Sequence, residues 1–142
     1  MTRGDKMGEA EAPGRMSRAL ATLETRLAER LGITQGTPIA VRGDLPVPEL
    51  VSVLEDLPRA LPWDAKVVLA VVRTRDQLHA LPAWLLECGV AVPTWVVHGG
   101  TLVGATGAAM VRDILRDAGF TTLSSCDIAS GWRALRAVPP PL

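Results

Sequence analysis

The residues of this 142-residue chain best suited to chemistry lie between Val92 and Asp113, in the run VPTWVVHGGTLVGATGAAMVRD. His98 closes a strand-like segment, Gly99 and Gly100 follow it, and Gly104, Thr106 and Gly107 open the next helix-like one. The first turn of a helix carries N–H groups without intrahelical partners and a partial positive charge, so Thr106 to Ala108 could hold an anion. A histidine at the C-terminal end of a parallel strand stands where open α/β sheets place their ligands. There it could act as a general base or bind an anion. Two named motifs fail. Gly99 and Gly104 have Walker spacing, but Ala105 replaces the lysine that would reach the phosphates. A dinucleotide fingerprint ending at Gly104 and Gly107 would need its first glycine at Leu102. Two readings stay open: an anion site, or glycines that join a buried strand to its helix, with His98 hydrogen-bonded to backbone. A second group of candidates, Gly43 and Asp44, follows the first strand-like segment. The expected ligand-binding set is Gly43, Asp44, His98, Gly99, Gly100 and Thr106.

No acid–base or nucleophile constellation accompanies these residues, so no catalytic residue is assigned. Ser124, Ser125, Cys126 and Asp127 lack a G-x-S-x-G elbow. Cys126 could pair with His98, or serve as a buried thiol. The two cysteines are far apart and the two histidines do not complete a zinc set, so no metal is expected. His79 falls on the outer side of a helix. Trp63, Trp84, Trp95 and Trp132 have no basic residues interleaved among them and suit packing. With 15 basic and 15 acidic residues the chain has no basic patch, which argues against nucleic acid.

Periodicity places these residues on elements. SRALATLETRLAERLG puts Leu20, Leu23, Leu27 and Leu31 on one helical face over 17–31, packed on the domain or on a second copy. TPIAVRGD reads as a strand, and PELVSVLEDL as a helix with the stripe Leu50, Val51, Leu54 and Leu57. AKVVLAVV is too continuously apolar for a solvent-facing strand and suits one buried on both faces. TRDQLHALPAWLLECG reads as a helix capped by Thr74 and kinked or divided at Pro82. VPTWVVH is a strand and TGAAMVRDILRDAG a helix, while FTTLSSCDI and WRALRAV form an antiparallel hairpin. The expected fold is α/β, a small Rossmann-like, mostly parallel sheet with helices on both faces, an antiparallel C-terminal hairpin and an extra N-terminal helix. A disordered tail over 1–15, one domain over 16–138 and a tail over 139–142 complete the expectation.

From WDAKVVLAVV onward the pattern resembles the C-terminal half of a class I methyltransferase-like Rossmann domain. TWVVHGG, VRDILRDAGFTTLSSCDIASGW and RALRAV resemble a bacterial family of short uncharacterised proteins that look like reduced relatives of that fold. The resemblance covers roughly the last hundred residues and implies S-adenosylmethionine as the cofactor to consider. In such an enzyme the first strand runs into an acidic residue and a G-x-G-type loop. Here the matching segment is Val41, Arg42, Gly43, Asp44, Leu45 and Pro46. A second strand should end in a ribose-holding acidic residue, and only PRALPWDA separates Leu57 from Lys66.

These departures favour a non-catalytic binding or protein-interaction module without a cofactor, working through a protein partner or a homodimer made by the N-terminal helix. The alternative is a nucleotide or S-adenosylmethionine site, or an enzyme, at the strand edge of Gly43, Asp44, His98 and Gly99. The charged N-terminal stretch lacks a signal-peptide core and VVLAVV is too short to span a bilayer, so a cytoplasmic protein away from membranes is expected.

Overall fold

A computed structural model describes residues 26–129 and 131–141. The expected tail 1–15 and the first part of the expected helix 17–31, with Leu20 and Leu23, lie outside the described residues. Five strands form one sheet: β1 (Ile39–Arg42), β2 (Val67–Val72), β3 (Thr94–His98), β4 (Thr121–Ala129) and β5 (Trp132–Val138). Their spatial order is β1-β2-β3-β5-β4. β1, β2 and β3 pair in parallel, whereas β5 runs antiparallel to both β3 and β4. One reversed strand thus sits inside an otherwise parallel sheet. Beyond β1 the pairing consists of a single bridge, Ile39 to Arg59.

Three helices join the strands: α1 (Pro48–Leu54), α2 (Arg75–Glu87) and α3 (Gly104–Asp117). The apolar run of β2 is explained by burial on two faces. Val68, Ala70 and Val72 join Val96, Leu135 and Ala137 beneath α2 and α3. Leu69 and Val71 join Trp95, Val97 and Ala134 beneath α1 and the helical residues 26–30. Leu27 and Leu31 of the expected amphipathic stripe are buried in this second core, so that part of the stripe packs on the chain's own sheet. The buried Trp95 indole donates to the Leu31 carbonyl at 2.8 Å and ties the N-terminal helical end to β3.

Local signals explain the helices. α1 has Pro48 in its first turn, where a missing N–H costs nothing, and buries Leu50 and Leu54. Val51, expected on the same stripe, is 41% exposed. A seven-residue helix presents only a narrow line to the core, and Val47 and Val53 pack beside it instead. The Thr74 hydroxyl accepts from the Gln77 N–H at 3.2 Å and caps α2. α2 is not divided at Pro82: one helix runs through it, with the Pro82 side chain buried. α3 buries Val111 and Leu115 and is closed past its cap Ala118 by Gly119, whose φ is +93°. Its first turn crosses the preceding loop so closely that a Cβ on Gly107 would lie 2.1 Å from the Leu102 carbonyl.

Two substitutions test this packing in a denaturant melt. Trp95→Phe leaves the Leu31 carbonyl without its donor and is expected to cost about 2 kcal/mol. Gly107→Ala forces α3 off the Leu102 carbonyl and is expected to cost about 3 kcal/mol or more. An unchanged midpoint in either variant contradicts the corresponding contact.

Candidate functional site

The glycine-rich join after β3 is shaped by close approach of the chain to itself. Gly99 has extended backbone, and a Cβ there would lie 2.6 Å from the Gly131 carbonyl and from the Trp132 ring. The β4–β5 turn therefore rests directly on Gly99. Gly100 has φ +62°, and a Cβ would meet the Arg73 carbonyl at 2.9 Å. A short 3₁₀ turn, Gly100–Leu102, then leads into α3. Gly104 differs from these: its φ is +77°, and nothing lies within 4 Å of its Cβ position. Thr106 is exposed on the first turn of α3.

Arg73, immediately after β2, joins three of the loops at this edge. Its carbonyl accepts from the Thr101 N–H at 3.0 Å and from the Thr101 hydroxyl at 2.8 Å. Its guanidinium Nη2 donates to the Asp44 carbonyl at 2.8 Å, and the same group lies 5.3 Å from the centre of the Trp132 ring. Gly43, at φ +90°, packs against the Val71 carbonyl, which a Cβ would approach to 3.0 Å. The crevice between the ends of β1, β2 and β3 is thus spanned by the Arg73 side chain. Sequence reasoning passed over Arg73 because nothing local distinguishes an arginine after a strand.

His98 is the last residue of β3 and 3% exposed. Its Nδ1 lies 3.0 Å from the Leu102 carbonyl. A carbonyl can only accept, so Nδ1 carries the proton and Nε2 is left as the acceptor. Burial pushes the imidazole below its ordinary pKa; the Leu102 bond opposes this, and Arg133 and Arg112 add to the depression. The neutral ring is therefore the stable form near pH 7.

Register places two more groups beside it. His98 stands opposite Arg133 on β5, and Arg133 stands opposite Asp127 on β4. Arg133 Nε and Asp127 Oδ1 are 3.2 Å apart, and Arg133 Nη2 donates to the Ser125 hydroxyl at 3.2 Å. The side chains of His98, Arg133 and Asp127 line a cleft of about 210 Å³ with Gly104, Trp132 and Val103. Gly43, Asp44, Gly99, Gly100 and Thr106 are not among the residues lining that cleft. A bulge between Asp127 and Ala129 produces the arrangement, since it shifts the pairing by one residue past the turn. The bulge was hidden in the sequence; the hairpin alone could have suggested that Asp127 and Arg133 lie close.

Cys126 does not meet His98. It pairs with Ala134 and packs in the core on the opposite face of the sheet, where burial raises its thiol pKa. Among the described residues no group of three or more His, Cys, Asp or Glu side chains could hold a metal ion. No helix among them is long and apolar enough to cross a membrane.

No family model matches the chain, and no curated protein matches it. Solved structures do. The ribosomal protein L11 methylase of Lactobacillus delbrueckii subsp. bulgaricus superposes with a TM-score of 0.51 at 12% identity, over 87% of this chain and 79% of that one. A SAM-dependent methyltransferase from Aquifex aeolicus gives 0.50 at 12% identity, over 82% and 89%. A protein of the NADB-Rossmann superfamily from Streptococcus agalactiae gives 0.50 at 7% identity, over 87% and 68%. At these identities the likeness concerns the fold. The chain has a methyltransferase-like Rossmann fold, a mixed sheet that begins parallel and ends with antiparallel strands.

Proposed function

We propose that this chain is a non-catalytic binding or protein-interaction module built on a methyltransferase-like fold. The observation that carries the reading is the Arg73 side chain across the strand-edge crevice, bonded to Asp44 and lying against Trp132. S-adenosylmethionine fits these residues poorly. Its sulfonium is a cation, and Arg73 places a second cation in the crevice it would enter. Gly43 spends its freedom on packing against Val71, so it offers no open loop. Beside β1, the bridge at Arg59 continues into Ala60, without an acidic residue for a ribose.

The interaction half of the reading draws on the other end of the strands, where the segment after the Arg59 bridge is pinned to the start of β1. Leu61 is 54% and Trp63 58% exposed, in the segment between the Arg59 bridge and β2. Large apolar side chains exposed close together are characteristic of contact surfaces. A partner protein at this margin would cover them. A homodimer through the N-terminal helix would draw on residues other than Leu27 and Leu31, which are already buried.

The test is a thermal melt with S-adenosylmethionine. A ligand at ~100 times its dissociation constant adds ~2.7 kcal/mol and moves the midpoint by several degrees. The midpoint is expected to stay fixed; a saturable rise would overturn the reading in favour of a cofactor-binding protein or enzyme. Arg73→Ala removes a charge-assisted bond and is expected to cost about 1–2 kcal/mol in the same melt. No loss would mean that the side chain does not tie the loops.

A further inference from the structure

We propose that the cleft at the end of β3, bounded by His98, Arg133, Asp127 and the first turn of α3, is a binding site for a phosphoryl group that keeps a proton. This goes beyond the module reading, because the cleft lies toward β4 and β5 and is lined by neither Gly43 nor Asp44.

The ligand class follows from what the walls donate and accept. The described residues give His98 Nε2 no hydrogen-bond partner, and the tautomer set by Leu102 makes that nitrogen an acceptor. An occupant must bring it a proton. Asp127 is a second acceptor at the rim. Donors come from the opposite side. Arg133 is held by Asp127 and Ser125 through Nε and Nη2, and no described residue takes Nη1. α3 is fourteen residues long and has no side-chain cap, and Gly104, its first residue, lines the cleft with nothing within 4 Å of its Cβ position. Trp132 walls one side. The volume of about 210 Å³ equals roughly seven water molecules at ~30 Å³ each, enough for a phosphoryl group and a small substituent.

A carboxylate or a sulfate has the charge for Arg133 and α3, but near neutral pH neither carries the proton that His98 Nε2 needs. Inorganic phosphate, which keeps an O–H at neutral pH, satisfies both sides at once, as does the monoanion of a phosphomonoester, the minor form at pH 7 because its second pKa is about 6. A fully ionised group would face Asp127 and an unprotonated imidazole. The fit therefore selects phosphate over sulfate, two ions of the same shape. Free phosphate and a phosphomonoester share this chemistry.

The test is a ¹H–¹³C NMR titration of the His98 ring signals of the full chain at pH 7, with inorganic phosphate, glycerol 3-phosphate and sulfate at matched ionic strength. Phosphate is expected to give a saturable shift, and sulfate less than a tenth of it. A stronger response to glycerol 3-phosphate than to phosphate would identify an ester as the ligand; the reverse would identify free phosphate. Arg133→Gln is expected to abolish the shift while the remaining spectrum stays folded. Equal responses to phosphate and sulfate, no response to either phosphate, or a full response in folded Arg133→Gln would each overturn the proposal. The comparison of ions needs no variant, so it stands even if the substitution prevents folding.

Discussion

The hydrogen bonding of β5 between β3 and β4 governs everything at the C-terminal edge of this molecule. β4 runs in the direction of β3, so a tight turn out of β4 must reverse at the edge where the parallel strands end. The turn therefore lands on the join after β3, and Gly99 is the residue that lets Trp132 and Gly131 come down. The same pairing aligns His98, Arg133 and Asp127 across three strands. Had β4 and β5 exchanged places, His98 would face a different strand and the cleft would not form.

This edge rests on a sheet with two buried faces. β2 has no solvent side, because α2 and α3 cover one face while α1 and the helical residues 26–30 cover the other. Burial on both sides leaves the strand ends as the places where polar groups can gather. Their backbone groups must be satisfied there, and Arg73 satisfies several through its carbonyl and its guanidinium. The arginine is both a structural tie and an obstacle, and it separates the margin of Gly43 and Asp44 from the cleft under His98. Topology shared with methyltransferase structures thus coexists with an edge filled by the chain itself.

Most of the fold was legible because burial writes itself into residue order. The unbroken apolar run of β2, the spacing of Leu78, Leu81 and Leu85, and the paired strands around Gly131 each have a local physical cause. Thr74 was recognisable as a cap for the same reason: its partner is three residues away. The errors arose where a neighbour in space overrode a local rule. Val51 turned outward because α1 is too short to bury a broad stripe, and Pro82 does not divide α2.

The site was less legible, and the glycines show why. Sequence identified Gly99, Gly100, Gly104 and Gly107 as a set, since glycine is the residue for close approach. It could not say what approaches. Trp132 is thirty-three positions from Gly99 and Leu102 is five from Gly107, and only folding brings either into contact. His98 was likewise evident as a strand-end histidine, but its tautomer comes from the Leu102 carbonyl, its neighbour Arg133 from the β3–β5 register, and Asp127 beyond it from a bulge in β4. Residue order carries the alternation and spacing that bury a core, which are short-range properties of one chain segment. Register across strands, and hence which charged groups share a cleft, depends on a single-residue offset that no local pattern records.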